Sequence, residues 1–205
     1  VDTAMVGQLG AVPLAGVAFA NAVFFMLFVF GTGMSLGLTP LVGEMYAVGN
    51  HRRSASFLQN SILFYACMGL LIFLLAMVVR PFMYHMGQAP EIVDQALPYF
   101  GYISVSVIPF MIFASFKQFL EGIGNTRVAM AIIITSNLIN IFCNWLFIYG
   151  NWGAPALGAA GAGLATLISR ILTPILIILY FWRRDSFYRY FRLFRRDNFS
   201  WETIR

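Results

Sequence analysis

The chain has 205 residues, of which 60% are hydrophobic and only 10% are charged, and its mean hydropathy is +0.79. A water-soluble domain cannot bury so many apolar side chains, so the composition excludes that class and predicts an all-α polytopic membrane protein. The net charge is +5, which in a soluble protein would suggest nucleic acid binding.

The first two membrane segments are separated by a turn. Between Asp2 and Glu44 lie 41 uncharged residues, too many for one crossing at about 20 residues each. The glycine- and proline-containing stretch 7–13 reads as a turn between them. We therefore expect residues 1–6 to end a first helix whose N-terminal part is missing, and roughly 14–45 to form the second helix.

Two further crossings follow. Residues 54–79 give 26 uncharged residues, which predicts the third helix, and 95–116 give 22, which predicts the fourth. Pro109 lies inside the fourth helix. A proline there removes a backbone hydrogen bond, so we expect a kink that could serve in gating.

The last apolar segment contains two helices. Residues 128–169 are 42 uncharged residues, again too many for one crossing. The glycine- and proline-rich stretch 150–155 divides them. We predict the fifth helix at roughly 128–149 and the sixth at roughly 157–182.

Basic residues predict the orientation in the membrane. If the first helix leaves the cytoplasm, the loops and tail on the cytoplasmic side carry eleven of the 13 Lys and Arg residues, and the opposite loops carry only Arg80. The positive-inside rule then explains the net charge without nucleic acid, with six crossings and both ends in the cytoplasm. The eleven are Arg52, Arg53, Lys117, Arg127, Arg183, Arg184, Arg189, Arg192, Arg195, Arg196 and Arg205.

We divide the chain into a transmembrane lobe, residues 1–182, and a basic cytoplasmic linker, residues 183–205. On a helix in the linker, one face would carry Phe187, Phe191 and Phe194 and another Arg189, Arg192 and Arg196. That pattern favours a helix lying in the membrane interface. A basic linker without a helix is the alternative.

Three asparagines form a polar stripe on the fifth helix. Asn140 and Asn144 are one turn apart, and Asn137 lies a further turn back on the same face. An amide in hydrocarbon costs free energy unless it finds a partner. The stripe therefore indicates either hydrogen bonds that hold helices together or a lined cavity, and we expect Asn137 to serve in packing.

Three more polar residues lie in or beside apolar helices. Asp2 is an acid at the edge of the first helix, and Arg170 is a charge in the sixth that must face protein, water or an acid. Thr166 could bond another helix or only its own backbone. The sequence contains no phosphate-binding loop, dinucleotide fingerprint, histidine-rich metal motif or catalytic triad motif, so we expect no enzymatic activity and no cofactor.

Five stretches, in order and with matching spacing, resemble the multidrug and toxic compound extrusion (MATE) transporters. This resemblance covers the whole chain and implies the six-helix N-terminal lobe, plus the interlobe linker, of a twelve-helix transporter. Members export organic cations and other amphipathic toxic compounds in exchange for H⁺ or Na⁺. The stretches are VDTAMVGQLG, LVGEMYAVGN, FLEGIGNTRVAM, NLINIFCNWLFIYG and PALGAAGAGLATLISR.

The resemblance also implies roles for four residues. Asp2 matches the acid that the family uses for cation coupling, and Asn140 and Thr166 match two neutral members of the same polar cluster. Asn144 matches a position that is aspartate in archaeal-type members, so this lobe has one carboxylate instead of two. We expect a cation-binding or coupling site at these four residues, with Na⁺ at Asp2 and Asn140 as one option.

We therefore expect one lobe of a cation-coupled drug antiporter in a bacterial plasma (inner) membrane, working with a C-terminal lobe, and with Arg170 and Pro109 as candidates for substrate contact or gating. One alternative is a lipid-linked oligosaccharide flippase of the same superfamily. Another is a channel or non-transporting structural subunit, in which the amides only hold helices together.

Overall fold

The computed structural model describes residues 2–194, and within them every regular element is a helix. The helices are α1 (Asp2–Val6), α2 (Ala11–Ser35), α3 (Leu38–Ala47), α4 (His51–Val79), α5 (Pro90–Gly122), α6 (Thr126–Tyr149), α7 (Ala159–Arg183) and α8 (Asp185–Arg192). Short 3₁₀ turns lie at Gly7–Leu9, Arg80–His85 and Asn151–Gly153.

Five helical stretches in the described part of the chain are long and apolar enough to cross a membrane. They are Ala11–Ala47, His51–His85, Pro90–Gly122, Thr126–Tyr149 and Ala159–Arg183. The prediction of an all-α membrane protein is therefore confirmed. The short helix α1 packs against α2, α6 and α7.

The second predicted helix is interrupted near its C-terminal end. α2 and α3 are separated at Leu36 and Gly37, where the Leu36 N–H donates to the carbonyl of Gly33 in a tighter, 3₁₀-like turn. Further back, Gly31 lies where α2 meets α4 and α5. A Cβ there would lie 2.5 Å from Ile72 Cδ1 and 2.7 Å from Met111 Cε, so the glycine permits close packing.

Helix α5 lies at the centre of the lobe. It packs against α7, α2, α4 and α3, and its largest buried side chains include Phe100, Ile103 and Met111. The helix continues through Pro98 and Pro109, so neither proline ends it. Packing on four neighbours holds the helical path despite the missing N–H groups. A gating role for Pro109 stays a prediction.

The linker forms a helix that is part of the lobe's packing. On α8, the Phe187 and Phe191 rings lie 5.0 and 5.7 Å from Phe181, and Tyr190 is 1% exposed. These rings lie against α7 and the end of α5, and a position of α8 in the membrane interface stays a prediction. Apolar burial against neighbouring rings competes with the interface for the same face. Of the residues predicted for the basic face of this helix, Arg196 lies outside the described residues.

Tyr190 also connects α8 to the start of α4. Its hydroxyl lies 3.3 Å from His51 Nδ1, and its ring packs edge-on against Phe119 at 5.0 Å. Burial is the main cause that raises the pKa of Tyr190. A neutral phenol therefore holds the two helices together at physiological pH.

Gly161 sets the distance between α6 and α7. An added Cβ would collide with the backbone carbonyl of Phe147 and lie 3.0 Å from the Ile148 nitrogen. Backbone atoms cannot move aside as a side chain can, so only glycine permits this approach. This close approach lets polar side chains of α6 and α7 contact each other.

We predict that Gly161→Ala lowers the free energy of unfolding by about 1–3 kcal/mol through overpacking. Gly101→Ala is the matched control, because a Cβ at that helical position meets nothing within 4 Å. It should be neutral or stabilising by up to about 1 kcal/mol. Thermal denaturation in detergent measures both, and equal melting temperatures would contradict the close approach at Gly161.

Candidate cation site and cavity

The Asp2 carboxylate accepts hydrogen bonds from two other helices. Oδ1 accepts from Asn144 Nδ2 on α6 at 2.7 Å, and Oδ2 accepts from Thr166 Oγ1 on α7 at 2.6 Å. Tyr149 helps to hold α1 in place, since its hydroxyl donates to the carbonyl of Met5 at 3.0 Å. One carboxylate therefore joins three helices.

Asn140 completes a closed ring of hydrogen bonds. Its Oδ1 accepts from Asn144 Nδ2 at 3.1 Å, and its Nδ2 donates to Thr166 Oγ1 at 3.3 Å. Asn140 thus reaches Asp2 only through Asn144 and Thr166. The Thr166 hydroxyl donates to Asp2 and not to its own helix, which answers the question that the sequence left open.

Asn144 has an unused oxygen. The residue is fully buried, and its Oδ1 has no hydrogen-bond partner among the described residues. The amide cannot be turned round, because an oxygen in place of Nδ2 would face two acceptors, Asp2 Oδ1 and Asn140 Oδ1. A buried acceptor without a partner costs about 1–3 kcal/mol, which a cation or a water molecule would recover.

The charge of Asp2 is not balanced by a basic side chain. Within the described chain the one ion pair is Lys117–Glu121, at 2.8 Å, and it lies elsewhere on α5. No group of three or more His, Cys, Asp or Glu side chains occurs there to hold a metal ion. A bound cation would therefore need one carboxylate and neutral amide and hydroxyl oxygens, which are hard ligands suited to hard cations.

The ring of polar residues borders a cavity of about 400 Å³. Its lining is Asp2, Thr3, Asn21, Phe24, Tyr99, Ile103, Phe110, Phe113, Ile133, Ser136, Asn137, Asn140, Thr166, Ser169, Arg170 and Thr173. Asn137 is exposed to it and makes no hydrogen bond to another described residue. The expectation that Asn137 serves in packing is wrong, because its side chain borders the cavity and bonds no neighbouring helix in the described chain.

Arg170 lies in the same cavity without an acid partner among the described residues. Its Nη1 donates to Ser106 Oγ at 2.9 Å, and its guanidinium carbon lies 5.6 Å from the Phe28 ring centre and 5.2 Å from that of Phe110. A neutral hydroxyl and two ring faces thus stabilise this charge. Pro109 does not line the cavity, although the next residue, Phe110, does.

The sequence reasoning missed a second polar contact of the cavity. The Tyr99 hydroxyl donates to Asn21 Oδ1 at 3.1 Å, joining α5 to α2. Asn21 is a carboxamide inside an apolar segment, the same signal that drew attention to the α6 asparagines. Ser136 and Thr173, whose hydroxyls are 2.9 Å apart, extend the polar wall between α6 and α7.

Comparison with known proteins identifies the family. The MatE family model matches residues 1–146. The chain belongs to the MatE family. The resemblance to MATE transporters is confirmed, and the family is one of transporters and not of enzymes.

The curated relatives of this MatE chain include multidrug resistance proteins. It is 34% identical over 197 residues to the "Probable multidrug resistance protein NorM" of Idiomarina loihiensis, covering 96% of this chain and 42% of that protein. It is 33% identical over 185 residues to the protein of the same name from Streptococcus pneumoniae strain R6, covering 88% and 40%. The chain thus spans about two fifths of their length.

Solved MATE structures share the fold. An "outward-facing conformation of a multidrug resistance MATE family transporter of the MOP superfamily" superposes with a TM-score of 0.86 at 22% identity, covering 99% of this chain and 44% of that one. A MOP superfamily transporter from Pyrococcus furiosus gives the same values. Identity at this level shows the fold alone, and the fold is that of a MATE N-terminal lobe.

We predict that Asn144→Ala lowers the free energy of unfolding by about 2 kcal/mol or more, since Asp2 loses a buried donor. Asn137→Ala is the matched control on the same helix, and it should change stability little because its amide bonds no described residue. Melting temperatures in detergent measure both. Similar losses in the two variants would show that the ring around Asp2 is not what stabilises the lobe.

Proposed function

We propose that the chain is the N-terminal lobe of an H⁺- or Na⁺-coupled antiporter that exports organic cations and other amphipathic toxic compounds. It would work with a second, C-terminal lobe in a bacterial plasma membrane, with the C-terminal end of α7 on the cytoplasmic side. The observation that carries this proposal is the Asp2 carboxylate, held only by neutral donors at the wall of a 400 Å³ cavity.

The Asp2 carboxylate forms no ion pair with a described basic residue, which would let it bind a coupling ion. Charge in a low-dielectric surrounding is costly, so binding H⁺ or Na⁺ at Asp2 relieves that cost. Amide and hydroxyl donors stabilise the ionised form without neutralising it. Their hydrogen bonds leave the negative charge of the carboxylate in place to attract a cation.

Cation binding would alter the contacts between helices. Protonation converts one Asp2 oxygen into a hydroxyl, which can donate a hydrogen bond and accepts one only weakly, so the bond that this oxygen now accepts from Asn144 or Thr166 weakens. The bonds that join α1 to α6 and α7 then rearrange. An ion that favours one arrangement shifts the lobe toward it, and this differential affinity is what antiport requires.

Sodium could use the oxygens already present. The set comprises the Asp2 carboxylate, Asn140 Oδ1, Thr166 Oγ1 and the unpartnered Asn144 Oδ1. Na⁺ at Asp2 Oδ1 would repel the positive end of the Asn144 N–H that this oxygen now accepts, so ion binding would weaken that hydrogen bond. This effect again connects ion binding to the position of α6.

The cavity suits an amphipathic cation. Phe24, Phe110 and Phe113 line it together with Asp2. Aromatic faces and a carboxylate attract an organic cation, while the apolar rings accommodate its body. Substrate and coupling ion would then compete for the charge of Asp2.

The two alternatives fit these observations less well. A flippase for lipid-linked oligosaccharides should line its cavity with several basic groups, whereas Arg170 is the single basic residue in the lining. A purely structural subunit would need the amides only to hold helices together. It would give no reason for Asn137 and Asn21 to border an open cavity.

We predict that Asp2→Asn in the complete transporter abolishes gradient-driven efflux while expression is retained, because the amide cannot be protonated and has no negative charge to attract Na⁺. The matched control is Glu44→Gln, which removes an exposed acid on α3 and should leave efflux unchanged. Dye efflux from cells or proteoliposomes measures both. Gradient-dependent efflux by the Asp2→Asn variant at the wild-type rate would contradict the coupling proposal.

Imposed gradients distinguish the two ions. In proteoliposomes that hold the complete transporter, efflux should follow either a sodium gradient at constant pH or a pH gradient without sodium. The Asp2→Asn variant should respond to neither. A wild-type transporter that moves dye equally fast with no gradient at all would be a facilitator and not an antiporter.

A further inference from the structure

The cavity contains two opposite charges that do not neutralise each other. Asp2 and Arg170 both line it, yet they form no ion pair. Opposite charges in a low-dielectric cavity attract strongly unless other contacts hold them apart. Here the contacts are identifiable on each side.

On the acidic side, both Asp2 oxygens are occupied by neutral donors. On the basic side, Ser106 fixes Arg170. The Ser106 hydroxyl donates to the carbonyl of Ile103 at 2.7 Å, which leaves its oxygen free to accept from Arg170 Nη1 at 2.9 Å. Ser106 lies on α5, so α5 orients the arginine.

The arginine has more donors than its protein contacts use. A guanidinium has five N–H donors, and one hydrogen bond, to Ser106, involves it in the described chain. Phe28 and Phe110 lie 4.9 Å apart and both lie near the guanidinium, which restricts its orientation. A planar, oriented cation bordering a cavity is a ready partner for a planar oxyanion.

We propose that Arg170 binds the carboxylate of zwitterionic aromatic substrates, whose cationic group lies toward Asp2. The inference rests on the proposed transport function and narrows its substrate class. A compound with both charges would satisfy Asp2 and Arg170 at once. A compound with a cationic group alone would leave Arg170 without an anion and would be repelled by it.

A pair of dyes tests this directly. Rhodamine 110 carries a free carboxylate, and rhodamine 123 is its methyl ester with the same fluorophore. Binding to the purified complete transporter is measured at equilibrium by fluorescence polarisation, without any ion gradient. The quantity compared is the ratio of the two Kd values in each variant.

In Arg170→Gln, the Kd of rhodamine 110 should rise about tenfold or more, as expected for loss of a charge-assisted hydrogen bond. The Kd of rhodamine 123 should stay within about twofold of wild type or fall, because repulsion is removed. Arg127→Gln is the matched control, since it removes an exposed arginine at the start of α6. It should change neither Kd.

Equal changes for both dyes in Arg170→Gln, or an unchanged Kd for rhodamine 110, would overturn the assignment. If that variant does not fold, Arg170→Lys serves, because lysine keeps the charge and loses the planar fork. This variant should raise the Kd of rhodamine 110 alone, by about threefold. An unchanged ratio of the two Kd values would overturn the proposal. Failure of antiport would appear in the Asp2→Asn efflux experiment and would leave this equilibrium ratio intact.

Discussion

The lobe depends on one constraint, which is that a carboxylate without a cationic partner must be stabilised inside a membrane protein. Asp2 is stabilised by hydrogen bonds from Asn144 and Thr166, and the amide of Asn140 ties those two together. Neutral donors lower the cost of the charge without removing it. They also come from different helices, so the ionisation state of Asp2 is connected to how α1, α6 and α7 pack.

The close packing of those helices is what makes such a ring possible. Gly161 lets α7 approach the backbone of α6 near Phe147. With a larger residue there, Thr166 and Asn140 could not remain at 3.3 Å without a shift of one helix. Small residues thus set the distance between the helices, and polar residues form hydrogen bonds across that distance.

The cavity combines this ring with a second, separate charge. Arg170 is held by α5 through Ser106 and by two phenylalanine rings, while Asp2 is held by α6 and α7. Keeping both charges unneutralised costs folding stability, and a ligand that matches them recovers that cost. The cavity of this lobe therefore contains one acid and one base.

Hydropathy and charge by themselves determined the approximate limits of the five long membrane segments, because every crossing must be apolar along its own length. The family resemblance named Asp2, Asn140, Asn144 and Thr166, which the structure brings together. Only the tertiary structure decided that Asp2 bonds Asn144 and Thr166, that Asn137 faces the cavity, and that the α8 phenylalanines pack on the lobe. These contacts join residues far apart in sequence, and local patterns cannot tell which of several neighbours a helix face will meet.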